Sequence, residues 1–237
     1  MSARCDRAMP LGDVGRQAGG RGLGARGGPH DGVRTFQAQR KVRDEMATAL
    51  AQGVARREVV VEAAAKQFAK HGYDATTMRN IAASTGILPG SLYYYFSSKE
   101  ELFAAVHERA INHICTGVIR AINPEADPWT RLDQASRGYL EAMLNSSIYA
   151  SLIVTEFPRR RSKKLRERLI ADRQRFEQMF VEIVDELPLA PEVDRSYWRL
   201  ALLGMLAWTY VWYKPSGDPP GVVASNLIAL LKNRTAA

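Results

Sequence analysis

An all-α fold is predicted for this chain by three features of its sequence. Apolar residues recur at helical spacing from Val54 onward, and no run of residues alternates between apolar and polar as a half-buried strand would. Capping residues, prolines and glycines then divide the chain into segments of helix length. With 237 residues, 46% of them apolar, the chain can build a real core in one large domain or two small ones.

Residues 1–50 differ in composition from the rest of the chain. Half of the 18 glycines lie in the first 45 residues, where they alternate with arginines instead of a periodic apolar pattern. Such a segment cannot bury enough apolar surface to offset its ordering entropy, so we expect a disordered extension. Two interpretations of its arginines stay open: a tail that attracts nucleic acid, or a solvated extension upstream of a translation start at Met46.

The next segment, residues 55–101, predicts a small domain of three helices. Val60, Ala64 and Phe68 share one face of the first helix, and Gly72 stands where a left-handed C-cap residue belongs. Thr77 is the expected N-cap of a second helix over residues 78–84, and a very short third helix follows it.

Residues 102–237 predict a larger helical domain. Ser98 and Glu101 form a capping box before a helix over residues 99–122, and Asp127 and Pro128 are the N-cap and N1 residues of the next helix. Four further helices are predicted over residues 148–156, 163–187, 193–213 and 219–232.

The spacing of small and apolar residues between positions 77 and 96 is typical of a helix-turn-helix. Ala82 allows the second helix to approach, Gly86 takes the positive φ of the turn, and Leu92 locks the second helix against the first. Many helical hairpins share this pattern. Taken alone, it therefore leaves open an α-helical enzyme or a small-molecule binding protein that does not bind DNA.

The residues that flank this motif resemble the N-terminal domain of the tetracycline-repressor (TetR) family. The resemblance covers residues 55–105 without a gap. It implies a homodimer that binds a palindromic operator in double-stranded DNA, with one half-site for each subunit. It rests on Phe68, Gly72, Thr76-Thr77, Ile81-Ala82, Gly86, the run from Gly90 to Phe96, and Lys99-Glu100. The predicted DNA-binding residues are Thr77, Arg79, Leu88, Pro89, Gly90, Ser91, Tyr93, Tyr94, Tyr95 and Lys99.

Three consecutive tyrosines, residues 93–95, end the short third helix and cannot all point inward, because successive helical residues lie about 100° apart. Their hydroxyl groups suit phosphate oxygens, and Lys99 adds its charge to the positive end of the next helix. An aromatic cluster that holds a helical corner together is the alternative, above all for Tyr94. Where the family usually has Ser-Lys, this chain has Leu88-Pro89, so a serine cap and a lysine contact are absent. Leu88 can instead pack on a thymine methyl.

Two features of the larger domain predict a ligand site. A basic run over residues 159–164 precedes a helix N-terminus, where cations oppose the helix dipole and an anion can bind; a solvated charge run is the alternative. Aromatic residues of the 193–213 helix can line an apolar cavity, or they can form core and dimer interface. Residues 212–217 also resemble the C-terminal domain of TetR-type repressors of steroid and fatty-acid catabolism that acyl-CoA releases from DNA. The ligand-binding candidates are Arg159, Arg160, Lys163, Trp198, Trp208 and Trp212.

Composition narrows the remaining function classes. The net charge of +8 and the pI near 9.7 favour an anionic partner, with nucleic acid ahead of a membrane surface. Two cysteines and four scattered histidines predict no metal site, and the GxGxxG of residues 22–27 has no strand before it, so we expect no cofactor. No nucleophile–base or carboxylate pair stands at a meaningful spacing, so no catalytic residue is predicted. The longest apolar run is too short to span a bilayer, so we expect a cytoplasmic protein.

These observations together predict a DNA-binding transcriptional regulator, namely a repressor that a small-molecule inducer, such as an acyl-CoA, releases from its operator. A TetR-type regulator without a ligand switch stays open beside it, as does a helical enzyme or binding protein without DNA binding.

Overall fold

A computed structural model describes residues 30–154 and 162–235 of the chain. Over these residues the chain forms nine helices and no β-strand, which confirms the all-α prediction. The helices are α1 (His30–Ala75), α2 (Met78–Thr85), α3 (Pro89–Tyr95), α4 (Lys99–Ala121), α5 (Pro128–Leu144), α6 (Ser147–Val154), α7 (Lys163–Asp185), α8 (Arg195–Trp212) and α9 (Pro220–Thr235).

Helix α1 is interrupted at Gly72. This residue has a φ of 75° and a ψ of 164°, so residues 73–75 form a separate helical turn. The positive φ agrees with the predicted glycine stop, although the ψ value lies outside the left-handed helical region. The hydroxyl of buried Thr76 donates to the carbonyl of Gly72 at 2.7 Å and so fixes the chain where it leaves the helix.

Residues 30–50 are helical in the structure, whereas the sequence predicts disorder throughout residues 1–50. The chain divides into two compact units, residues 1–50 and 51–237. The side chains described in the first unit, those of residues 40, 41 and 43–50, are all exposed, so this part of the helix depends on local hydrogen bonds and not on a core. Residues 44–51 are rich in good helix formers, which the composition of the whole segment conceals. Residues 1–29, including the GxGxxG, lie outside the described residues.

Two apolar clusters form the core of residues 51–237. The first joins α1, α2, α3 and the beginning of α4 around Phe68, Leu92 and Phe103, and it also includes residues of α6 and α7. The second joins the rest of α4 to α5, α7, α8 and α9 around Leu140 and Phe180. Helix α4 therefore contributes to both clusters and connects them.

Helices α4 and α5 cross at two glycines. A Cβ atom on Gly138 would lie 2.5 Å from the carbonyl oxygen of Gly117, and a Cβ atom on Gly117 would lie 2.9 Å from the carbonyl oxygen of Gly138. No side chain fits between the two backbones at this separation. The close crossing therefore requires glycine at both positions, and it holds α4 against α5.

We expect the substitution Gly138→Ala to destabilise the protein by about 1–3 kcal/mol, because the new Cβ would overlap a backbone carbonyl that cannot move independently. The midpoint of urea unfolding measures the effect. Gly53→Ala is the matched control: it also lies within a helix, but its Cβ would meet nothing within 4 Å. This control is expected to leave stability unchanged or to raise it. Equal stability of both variants would show that the crossing is looser than described.

Candidate nucleic-acid interface

Helices α2 and α3 form the predicted helix-turn-helix. Thr77 caps α2, since its Oγ1 accepts a hydrogen bond from the backbone N–H of Asn80 at 3.2 Å. Gly86 ends the helix with a φ of 68° and a ψ of 17°, and the N–H of Ile87 bonds to the carbonyl of Ala82 at 3.1 Å. This hydrogen bond satisfies a carbonyl at the end of α2 and turns the chain into α3. The predicted N-cap and turn glycine are both confirmed.

Helix α3 is short and is anchored by its apolar residues. Pro89 begins it after Leu88, whose side chain makes no capping hydrogen bond, as the sequence implies. Leu92 is fully buried, and Phe96 directly after the helix is only 1% exposed. The guanidinium of Arg57 in α1 lies 4.7 Å from the centre of the Phe96 ring. One side of α3 is thus fixed to α1 and α2, and its other side faces outward.

Most of the predicted DNA-binding residues lie on the outward side of α2 and α3. Tyr94 is 87% exposed and Tyr93 is 53% exposed, whereas Tyr95 is partly buried against the first core cluster. The aromatic residue that packs at the helical corner is therefore Tyr95. The sequence pattern assigned this role to Tyr94 instead. The remaining exposed members of the set are Thr77, Arg79, Leu88, Pro89, Gly90 and Ser91.

Lys99 differs from its expected role as a phosphate-binding residue. Its half-buried ammonium group donates to the carbonyl oxygens of Tyr73 and Thr76, both at 2.9 Å, and to that of Asp74 at 3.4 Å. It also lies 4.2 Å from the centre of the Tyr73 ring. Carbonyls at the end of a helix lack intrahelical partners, so a cation is favourable there. Lys99 therefore joins the end of α1 to the start of α4.

The two residues after Lys99 connect the start of α4 to other parts of the chain. The carboxylate of Glu100 accepts hydrogen bonds from the N–H and the hydroxyl of Ser162, the N-cap of α7. The carboxylate of Glu101 accepts from the N–H of Ser97 at 2.8 Å and from its hydroxyl at 2.6 Å.

The capping box at the start of α4 is confirmed in part. Ser98 accepts from the N–H of Glu101 at 3.1 Å, but Glu101 returns its bonds to Ser97, one residue earlier than the box predicts. The hydrogen bonds from Ser97 lower the pKa of the Glu101 carboxyl below its usual value. The hydrogen bonds from Ser97 to the Glu101 carboxylate therefore stabilise the folded protein fully at a pH above the pKa that Glu101 has in the unfolded chain. This stabilisation is lost as the pH falls through the lower pKa of Glu101 in the folded protein.

A groove of about 750 Å³, lined by both apolar and charged side chains, lies where α1, α2, α4 and α6 meet. Arg109 of α4 forms ion pairs there with Glu58 and Glu62 of α1. The hydroxyl of Tyr149 in α6 donates to Glu62 at 3.3 Å. These contacts join α4 and α6 to α1, and the sequence pattern gave no sign of them because their partners lie about 50 or more residues apart.

Among the described residues, those predicted to bind ligand differ in their surroundings. Trp198 is 6% exposed and packs edge-on against Trp129, with the ring centres 6.1 Å apart. Trp208 and Trp212 are 62% and 47% exposed, which favours the interface alternative over a closed cavity for these two residues. The sequence could not separate the alternatives, because an apolar cavity and an apolar interface have the same composition. Lys163 is exposed and pairs with Glu167 at 3.8 Å. Arg159 and Arg160 lie outside the described residues.

Helices α8 and α9 expose several large apolar side chains. These side chains recur at helical spacing, and Arg199, the one charged residue of α8 after its first position, is only partly exposed. We call the surface that they form the α8–α9 face. Its large apolar residues are Tyr197, Leu200, Trp208, Val211, Trp212, Val222 and Leu230.

Two other site classes find no support in the described part of the chain. No group of three or more His, Cys, Asp or Glu side chains there is arranged to hold a metal ion. None of the described helices is long and apolar enough to cross a bilayer.

Two family models match this chain. The one described as bacterial regulatory proteins, tetR family, matches residues 60–106, which contain the helix-turn-helix. The one described as tetracyclin repressor-like, C-terminal domain, matches residues 125–233.

Known proteins show the same similarity. The chain is 28% identical over 172 residues to the HTH-type transcriptional repressor KstR2 of Mycobacterium tuberculosis, a match that covers 68% of this chain and 83% of that one. It is 34% identical over 92 residues to the HTH-type transcriptional activator FasR of Mycolicibacterium smegmatis, covering 39% and 42%. The structure of AibR with isovaleryl coenzyme A and operator DNA aligns with a TM-score of 0.65, covering 74% of this chain and 97% of AibR. At 23% identity, this alignment shows a shared fold.

We expect Lys99→Met to lower the free energy of unfolding by about 1–3 kcal/mol, because it removes a charged donor from three carbonyls. It should weaken operator binding without changing the slope of log affinity against log salt, since no phosphate contact is lost. Titrations at several salt concentrations measure this slope.

Arg79→Gln provides the comparison, because Arg79 is exposed on the first turn of α2. If Arg79 contacts phosphate, its loss reduces the slope by about one for each half-site. A stable Lys99→Met protein with the same reduction in slope would return Lys99 to the phosphate-binding set.

Proposed function

We propose a function from the premise that this chain belongs to the tetR family of bacterial regulatory proteins: a homodimeric repressor that a small-molecule ligand releases from operator DNA. The observation that carries the proposal is the exposed outer side of α2 and α3, built on a buried anchor. The chain is a transcriptional regulator and not an enzyme, since its family and relatives are regulators. We assign DNA binding to residues 55–101, ligand binding and dimerisation to residues 102–237, and the protein to the cytoplasm, where operator DNA lies.

DNA binding follows from how α3 is presented. The second helix of a helix-turn-helix enters the major groove with its N-terminal residues towards the base edges. In this chain those residues are Leu88 to Ser91, all exposed. Tyr93 and Tyr94 follow with exposed hydroxyl-bearing side chains that suit phosphate oxygens. Thr77 and Arg79 contribute from the start of α2, where the helix dipole favours an anion.

A second copy of this chain is the occupant that we assign to the α8–α9 face. Exposed apolar patches of this kind mark interaction sites in soluble proteins. A two-fold axis through the face would pack two helices from each copy together and bury the exposed Trp208 and Trp212. The same axis would present two α3 helices to successive turns of one face of the DNA, about 34 Å apart. The operator is then a palindrome.

An acyl-CoA is the inducer that we propose. Its support is the resemblance of residues 212–217, the basic run before α7, and the fold shared with AibR, whose structure contains isovaleryl coenzyme A and operator DNA. Repression is favoured over activation because the match to the repressor KstR2 covers 68% of this chain, whereas the match to the activator FasR covers 39%.

A ligand in residues 102–237 has direct contacts through which to act on the helix-turn-helix. Glu100 bonds to the N-cap of α7, and Glu62 of α1 bonds to Tyr149 of α6. A ligand that moves α6 or α7 breaks or shifts these bonds and so changes the position of α1 and α4. To shift the population from 1:99 to 99:1 the ligand must bind the released state more tightly by about 5.5 kcal/mol.

The central test begins with a gel shift against the upstream region of the protein's own gene. We expect a specific complex that an acyl-CoA dissolves, whereas the matching free acid and free coenzyme A do not, because release needs both an apolar and an anionic anchor. Titration of the complex with a panel of acyl-CoAs of different chain length measures this release from the operator. Release by the free acid as readily as by its thioester would remove coenzyme A from the proposal, and the absence of any specific complex would contradict DNA binding.

Charge reversal tests whether the basic run before α7 binds the phosphates of the ligand. Lys163→Glu is expected to weaken acyl-CoA release, because it places a negative charge beside the basic run. Lys41→Glu is the control, since Lys41 is similarly exposed and also pairs with a glutamate four residues later, at 3.9 Å. Equal release by both variants would assign the basic run to a solvated surface.

The dimer interface is tested by Trp208→Glu. A charge in the centre of an apolar face opposes its burial, so the variant should be a monomer and lose operator affinity at least tenfold. Sedimentation velocity measures the oligomeric state. Ile119→Glu is the control, because Ile119 on α4 is 64% exposed, close to the 62% of Trp208. A dimeric Trp208→Glu protein would place the interface elsewhere.

A further inference from the structure

The helix-turn-helix of this chain has no charged side chain in its turn or in α3. No Asp, Glu, Lys, Arg or His occurs between Arg79 and Lys99, and the ammonium group of Lys99 is bonded to backbone carbonyls. Helix α3 also contains no Asn or Gln. Arg or Lys is the usual partner of guanine, and Asn or Gln the usual partner of adenine. These forms of base recognition are therefore absent from α3.

Leu88 is the largest side chain exposed at the beginning of α3. It is 75% exposed, whereas its neighbour Ile87 packs against the first core cluster and Leu92 is fully buried. Its carbonyl accepts hydrogen bonds from the N–H groups of Ser91 at 2.9 Å and Leu92 at 3.2 Å. Pro89 follows and has a fixed φ. The backbone of Leu88 is thus held in place while its side chain lies in solvent.

The chemistry of the major groove matches such a side chain with one base. Thymine alone presents an apolar group there, its C5-methyl. Contact between this methyl and a leucine removes both from water, which is favourable without any hydrogen bond. A single exposed leucine is ordinary on a protein surface. Leu88 differs because it is rigidly held at the position where a recognition helix meets base edges.

From these observations we infer that Leu88 is a specificity-determining residue that recognises a thymine through its C5-methyl group. Each operator half-site then contains an A·T pair opposite the start of α3. The inference rests on the proposed DNA binding. It adds the chemical nature of the base contact and its position in the protein.

Replacement of thymine by deoxyuridine tests this inference, because it removes the methyl group and leaves base pairing intact. The operator is first located by footprinting the full-length protein on its own upstream region. Each thymine of one half-site, together with its symmetric partner, is then replaced by deoxyuridine, and dissociation constants are measured for wild type, Leu88→Ala and Ile119→Ala. Ile119→Ala is the control, since Ile119 is also an exposed aliphatic residue but lies in α4 beyond the helix-turn-helix.

We expect one thymine position at which wild type loses about fourfold in affinity for each half-site, the value of one buried methyl group. Leu88→Ala should lose no further affinity when that thymine is replaced, whereas Ile119→Ala should behave as wild type. Thermal unfolding checks that Leu88→Ala is folded, which we expect because Leu88 is 75% exposed. A methyl dependence that survives in Leu88→Ala, or none at any thymine, would overturn the inference while leaving the footprint and the proposed function intact. Absence of a footprint would instead contradict DNA binding itself.

Discussion

The hydrogen bonds of the Lys99 ammonium group fix the part of the molecule on which the proposed DNA recognition depends. They join the end of α1, at Tyr73 and Thr76, to the start of α4. Helices α2 and α3 lie in sequence between these two ends, so the joined ends set the frame in which the helix-turn-helix packs. Leu92 and Phe96 then hold α3 to that frame by burial. A residue that resemblance assigns to phosphate binding is here part of the supporting structure.

Helix α4 links recognition to the larger domain. Its first turns belong to the core cluster of α1 to α3, and its later turns, through Ile114 and Val118, belong to the second cluster. Gly117 brings it into backbone contact with α5, and Glu100 ties its start to α7. Because a packed helix moves as a unit, these contacts form a continuous physical connection between the proposed ligand domain and the proposed DNA-binding residues.

Local signals in the sequence predicted most of the fold. Helix ends such as Thr77, Gly86 and Asp127 depend on hydrogen bonds within four residues, so their positions are readable from residue type. The partners of Lys99 lie 23 to 26 residues away, and no spacing rule reaches that far. The exposure of Trp208 could not be predicted from the sequence either, because residue type does not distinguish a core from an interface. The helix over residues 30–50 was missed because composition averages over a segment.

A crystal structure of the protein on its operator would test the account most directly. We predict that α3 enters the major groove with Leu88 about 4 Å from a thymine C5-methyl. Tyr93 and Tyr94 should contact phosphates, and the ammonium group of Lys99 should remain on the carbonyls of Tyr73 and Thr76. An α3 outside the groove, or a Lys99 that has left those carbonyls for a phosphate oxygen, would contradict it.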